Sequence, residues 1–184
     1  MREVSQVING KRVIVKKPEL LAPAGNLEKL KVAILYGADA VFIGGKEFSL
    51  RSSASNFSLD DIKEAVIEGD RIYQETGEFA HTHRAAIHVT CNIILHEDNL
   101  EGLEDYLLKL DEIGVDAIIV ADPYIMSLAK KLNLKLEVHV STQLSTMNTS
   151  AIHFYENLGV DRVVFAREVD YQDLKEVREK VDID

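Results

Sequence analysis

The chain has 184 residues, 46% of them hydrophobic and 28% charged, and a formal net charge of −10. That balance describes a soluble globular protein with one sizeable core, and it opposes non-specific attraction to nucleic acid or anionic lipid. No run reaches membrane-span length, the N-terminus lacks the layout of a signal peptide, and the single cysteine, Cys91, excludes an internal disulfide or a multi-thiolate metal site. The expectation is a cytoplasmic protein with no membrane partner.

Residues 1–17 stand apart as an N-terminal β-hairpin extension. In "VSQVINGKRVIV", Asn9-Gly10 lies between two β-prone runs, and a type I′ turn needs φ > 0 at both positions. Residues 18–184 form the second unit, in which short apolar strands alternate with helices. Strands are predicted near 19–22, 39–44, 86–92, 116–121, 136–142 and 161–166, and helices near 27–36, 59–76, 100–113, 123–132, 149–158 and 171–181. Asn26, the Ser58/Asp61 pair and Asp122-Pro123 mark helix starts. Leu100, Leu103, Leu107 and Leu110 make a one-sided stripe for packing on a sheet.

Three segments repeat one pattern: "YGADAVFI", "IGVDAIIV" and "LGVDRVVF". Gly37, Gly114 and Gly159 suit left-handed helix termination, and Asp39, Asp116 and Asp161 open strands where a carboxylate can bond nearby backbone. Repeated helix–Gly–strand units imply right-handed βα crossovers and a parallel sheet. "APAGN" does not fit the glycine-rich phosphate loop of a doubly wound sheet. The expected fold is therefore α/β, a TIM-barrel-like series with about six of eight βα units present. The loop "GGKEFSLR" then points to the catalytic face, with Gly44 and Gly45 permitting close backbone approach there.

Period-two alternation picks out candidates inside the barrel. His88, Thr90 and Asn92 share one face of "AIHVTCN", and His139, Ser141 and Gln143 share one face of "EVHVSTQ". Both rows point into the lumen, either toward a ligand or as a layer of structural hydrogen bonds. His88, His139 and Glu168 offer a two-His, one-carboxylate set, but nothing in their spacing requires a metal, and none is assigned. "HTH" at 81–83 falls on the face where a solvated connection is expected, and Asp122 reads as a cap before Pro123. Arg51, Arg167 and Glu168 follow strands, where they suit an anionic ligand or an Arg–Glu pair between loops. Cys91 lies on the helix-facing side, as a buried hydrophobe. No G-x-S-x-G, H-E-x-x-H or P-loop is present.

The segments "PELLAPAGNLEKLKVAILYGADAVFIGGKEFSLR", "NFSLDDIKEAV", "VDAIIVADP", "EVHVSTQLSTMN" and "DRVVFARE" together resemble peptidase family U32, the collagenase-like proteases. The resemblance runs from about Lys17 to the last residue and is nearest to the branch associated with tRNA uridine hydroxylation. It implies an oxygen-independent hydroxylation with an iron–sulfur protein, prephenate being implicated as hydroxyl source. The 4Fe–4S ligands are expected beyond Asp184, with no cofactor held by this chain, which reads as the N-terminal part of a longer protein and inactive alone. Carried over by motif position, Arg51, Asn56, Thr90, Asn92, Ser141, Gln143, Arg167 and Glu168 are substrate-binding candidates, joined by His139 from the polar row. No catalytic residue is assigned. Two departures stand out: His88 replaces a more usual tyrosine, and "TGEFAHTHRAAIHVTCN" is long and histidine-rich. The expected partner of the full-length protein is tRNA or a small carboxylate substrate. The alternatives are a peptidase, as the family's name states, and a non-catalytic scaffold or binding module. Open strands at 19–22 and 161–166 predict self-association of the isolated chain.

Overall fold

A computed structural model of the chain describes residues 2–8, 11–50, 56–76, 84–181 and 183. Two strands, β1 (Arg2–Ile8) and β2 (Lys11–Lys17), pair antiparallel from Arg2↔Lys17 to Ile8↔Lys11. The predicted Asn9-Gly10 turn lies outside the described residues. Six further strands form one parallel sheet in chain order: β3 (Leu21–Ala24), β4 (Ala40–Gly44), β5 (Ala86–Cys91), β6 (Ala117–Val120), β7 (Glu137–Val140) and β8 (Arg162–Val163). Between and after them run α1 (Leu27–Leu35), α2 (Leu59–Thr76), α3 (Leu103–Ile113), α4 (Pro123–Lys131), α5 (Thr149–Asn157) and α6 (Tyr171–Arg178). This is the repeated βα architecture of a barrel wall.

The repeat read from sequence has a physical counterpart. Gly37, Gly114 and Gly159 sit at φ of 101°, 88° and 84°, ending α1, α3 and α5 in the left-handed region. Two residues later each aspartate clamps one residue in, or directly before, the preceding strand at two points. Asp39 donates its N–H to Leu20 O at 2.9 Å, and its Oδ2 accepts from Leu20 N at 2.9 Å. Asp116 does the same with Ile87, at 3.0 and 2.7 Å, and Asp161 with Val138, at 2.9 and 2.8 Å. The carboxylates thus extend the ladder, setting the register of β3/β4, β5/β6 and β7/β8. The start of β7 is held additionally by Asp111 of α3, whose Oδ1 accepts from Lys135 N and Leu136 N.

The helix caps are also as predicted. Asn26 accepts from Lys29 N, Asp122 from Tyr124 N, and Ser58 and Asp61 bond reciprocally. All six strands differ from the predicted spans by a residue or more, and two of them differ most. Strand β3 begins at Leu21 because the Leu20 amide is already taken by Asp39, and it tolerates Pro23 because an edge strand needs only one ladder. Strand β8 is two residues long, since its partner β7 ends at Val140 and the chain there turns into a 3₁₀ segment, Thr142–Leu144. Leu100 leaves the predicted stripe: it precedes the helix and is 38% exposed, while Leu103, Leu107 and Leu110 are buried.

Alternation divides the sheet. Val41, Ile43, Ile87, Val89, Ile118, Val120, Val138 and Val140 pack in one core with Leu30, Ile62, Leu107 and Ile125 of the helices. Full burial of each such side chain is worth about 1.5–3 kcal/mol. The other face is the lumen, and the sheet curls around it. Arg162 of β8 reaches Glu19, just ahead of β3, with Nη1 donating to Oε1 at 3.0 Å. One ion pair thereby joins the two edges of the sheet at its N-terminal end.

The two glycines at the end of β4 serve packing. A Cβ on Gly45 would collide with the hydroxyl of Tyr106 in α3, and one on Gly44 would press Asn56 Oδ1 and Ser49 Oγ, both at 3.4 Å. Tyr106 is buried against Phe48 at 5.2 Å between centroids, and among the described residues its hydroxyl has no hydrogen-bond partner. Burial drives that phenol's pKa upward. Gly45→Ala is therefore expected to destabilise the fold by about 1–3 kcal/mol through overpacking. Tyr106→Phe should be neutral or stabilising by about 1 kcal/mol, because it removes an unsatisfied buried hydroxyl. In the Tyr106→Phe background Gly45→Ala should cost much less. Urea denaturation of the four proteins measures this coupling; an equal cost of Gly45→Ala in both backgrounds contradicts it.

Candidate functional site

The lumen face carries polar residues at both ends of the sheet, and the two ends differ in chemistry. At the C-terminal mouth a chain of hydrogen bonds crosses from the loop after β4 to the turn after β7. Ser49 Oγ and Thr90 Oγ1 are 2.9 Å apart, and Thr90 Oγ1 also donates to Ile43 O at 3.3 Å. Leu50 N donates to Asn92 Oδ1 at 3.2 Å, Asn92 Nδ2 donates to Gln143 Oε1 at 2.6 Å, and Ser141 Oγ donates to the same Oε1 at 3.3 Å. Every side chain in this network is uncharged. Asn92, Ser141 and Gln143, named separately from two strands, therefore meet, and Thr90 is linked to them through Ser49 and Leu50 of the loop after β4.

Local folding explains how they meet. Strand β5 delivers Thr90 and then Asn92 on one face. After β7, Ser141 caps the 3₁₀ segment by accepting from Gln143 N at 3.3 Å, which turns Gln143 back toward Asn92. Asn56 stands beside them, donating Nδ2 to Gly45 O at 2.9 Å. Arg167 and Glu168 are exposed in the turn after β8, and among the described residues neither joins the network nor forms the Arg–Glu pair. Arg51 and the His81–His83 stretch lie outside the described residues.

The floor, at the N-terminal end, is charged. His88 and His139 are 3% and 2% exposed and meet edge to face at 4.9 Å. His139 Nε2 is 2.8 Å from Glu137 Oε2, which holds the Glu137 carboxyl below the usual carboxylate range. His139 thus lies beneath the mouth, bonded to Glu137. A cavity of about 600 Å³ is lined here by Glu19, His88, Asp116, Glu137 and Arg162. Burial, reinforced by neighbouring His139, lowers the His88 pKa to about 4, and among the described residues its Nδ1 has no partner. The two histidines of the sequence-derived triad are adjacent, but the carboxylate beside them is Glu137; Glu168 follows β8 at the other end. Among the described residues no group of three ligating side chains is placed to hold a metal.

Sequence reasoning missed Ser49, Glu137, Glu19 and Arg162. Glu137 was visible as the next residue down the His139 face. The Glu19–Arg162 pair joins residues 143 positions apart, and no local pattern signals it. Asp122 is a cap that also accepts from Leu95 N. Cys91 is fully buried on the helix side, and burial pushes its thiol to about 12.

Against known proteins, the profile of peptidase family U32 matches residues 25–184. The chain belongs to peptidase family U32. Among curated relatives, the "tRNA hydroxylation protein P1" of Bacillus subtilis is 52% identical over 182 residues, 99% of this chain and 40% of that protein. A 23S rRNA 5-hydroxycytidine synthase of Escherichia coli is 38% identical over 164 residues, covering 89% of this chain and 23% of the synthase. The chain therefore spans well under half the length of these curated relatives. Among solved structures, the U32 peptidase Mk0906 superposes with a TM-score of 0.69 at 16% identity, covering 91% of this chain and 66% of that one. That likeness establishes the shared barrel-like fold. Among the described residues no helix is long and apolar enough to cross a membrane.

The floor of this U32 chain makes a pH prediction. An unfolded histidine takes up its proton near pH 6.5, whereas folded His88 does so only near 4. Stability conferred by neutral His88 is thus complete above about pH 6.5 and is lost as pH falls toward about 4, by roughly 3 kcal/mol. His88→Phe, which keeps a ring against His139, should flatten this part of the profile. Urea unfolding across that pH range checks it; an unchanged slope in the variant contradicts the assignment.

Proposed function

We propose that this chain forms the substrate-binding barrel wall of a U32 protein that hydroxylates a uridine of tRNA without molecular oxygen. The observation that carries this reading is the 52% identity, over 99% of the chain, to a protein named for tRNA hydroxylation. The mouth supports it. Neutral amides and hydroxyls, held by one another and by backbone, suit a polar uncharged nucleobase. The net charge of −10 leaves phosphate attraction to other parts of the protein. A small carboxylate is the co-substrate in this reading, and the protein works in the cytoplasm.

The reading includes a 4Fe–4S cluster supplying redox chemistry. The residues present do not fit it: the one cysteine is buried on the helix-facing side with its thiol pushed to about 12, and a cluster needs several thiolates. The ligands are assigned to sequence beyond Asp184. The role of this chain's residues is to bind and orient the base. Thr90, Asn92, Ser141 and Gln143 do so at the mouth, with Asn56 beside them, and Arg51, Arg167 and Glu168 are assigned to the surrounding loops. A peptidase reading lacks support among the described residues, where Ser49 and Ser141 bond to Thr90 and Gln143 and neither reaches a histidine.

The test expresses the full-length protein in a bacterial strain lacking tRNA hydroxylation, grown without oxygen. Digested tRNA should contain hydroxylated uridine by mass spectrometry. Unmodified tRNA together with cleavage of casein by the purified protein contradicts the proposal. In the same reading the isolated chain self-associates through the flanks of β3 and β8, so light scattering should show more than the 20.6 kDa monomer.

A further inference from the structure

The mouth network has a direction. Leu50 N is a backbone amide and can only donate, so it fixes Asn92 Oδ1 as the acceptor facing it. Asn92 must then present Nδ2 to Gln143, and Gln143 must answer with Oε1, which also accepts from Ser141 Oγ. The one backbone N–H therefore orients both amides. Their carbonyl oxygens are consumed within the protein. What remains is the Nε2 amide of Gln143, an exposed residue of the mouth, and it has no partner among the described residues. Since the network is built from neutral groups, it offers oriented donors without a cation.

A pyrimidine base must leave its stack to enter a barrel mouth. Uracil and cytosine then differ at position 4, where uracil carries the O4 acceptor and cytosine an N4 amine donor, and at N3, which is a donor in uracil and an acceptor in cytosine. Donor against donor leaves two polar hydrogens unpaired, whereas donor against O4 makes a hydrogen bond. We infer that Gln143, oriented by Asn92 and the Leu50 amide, is the residue that selects uracil over cytosine by donating to O4. This inference rests on the RNA-hydroxylation reading, and it adds which base edge is read and by which atom. Asn92 is a positioning residue, since it acts through Gln143.

The test uses the full-length protein in the hydroxylation-deficient strain and reads the ratio of hydroxylated uridine to hydroxylated cytidine in digested tRNA. Gln143→Glu keeps the shape and replaces the donor with an acceptor. Hydroxyuridine should fall about tenfold or more, with the ratio shifting toward hydroxycytidine. Gln143→Met, a nearly isosteric change without a donor, should lower the ratio less. A proportional loss of both products indicates a structural role and overturns the inference, as does an unchanged ratio in both variants. If raising the concentration of the small carboxylate restores the Gln143→Glu rate with the ratio unchanged, the donors face that carboxylate and the inference also fails. If the wild-type protein produces no hydroxylated nucleoside, the underlying reading fails and takes the inference with it.

Discussion

Each aspartate of the helix–Gly–x–Asp repeat holds a residue in, or directly before, the preceding strand by two hydrogen bonds, one from its own N–H and one to its carboxylate. Asp39 on Leu20, Asp116 on Ile87 and Asp161 on Val138 thereby fix where three pairs of parallel strands begin. Asp39 and Asp116 also pass their carbonyls to the next strand along, accepting from Ala86 N and Glu137 N. A slip of one residue would turn every side chain of a strand to the other face. The buried valines and isoleucines would then enter the lumen, and His88, Thr90 and His139 would meet the helices. Register is thus the condition for both the core and the site.

With register fixed, the lumen face acquires two ends of different character. The floor is ionic: Glu19–Arg162 ties the sheet's edges and Glu137 holds His139 beside a neutral His88. The mouth is neutral, and its hydrogen bonds run among loops that follow strands. Barrel enzymes place chemistry at that end, because several strands deliver side chains to one mouth there, while the opposite end serves stability. The floor's cavity and buried histidines are prominent, yet its charges are already satisfied by one another. Among the described residues, the exposed hydrogen-bonding capacity left over in the mouth network lies on Gln143, where a ligand can reach it.

Much of this was legible in the sequence for identifiable reasons. The three Gly–x–Asp segments announced the repeat, and all six helices of the barrel unit lie within the predicted spans, because caps such as Asn26 and Asp122 are local signals. Strand phase was legible too: Val89 and Val138 are apolar where Thr90 and His139 are not. What sequence could not supply was depth and partnership. Alternation gave His139 and Gln143 one face but not their separation into floor and mouth, which depends on the 3₁₀ turn that Ser141 caps. Gly44 and Gly45 were read as permitting close backbone approach at the catalytic face, and what approaches Gly45 is Tyr106, whose closeness follows from how α3 lies on the sheet. Strand β8 was overextended because "RVVFA" has strong β propensity, and propensity does not reveal that its neighbour stops at Val140.

The central claim is that substrate meets the neutral mouth and leaves the ionic floor untouched. Hydrogen–deuterium exchange of the full-length protein, with and without unmodified tRNA, tests it most directly. Binding should slow exchange at residues 48–50, 92–95 and 141–146 while residues 19–21, 86–88 and 137–139 keep their rates. Protection confined to the floor segments, with the mouth unchanged, would contradict the account.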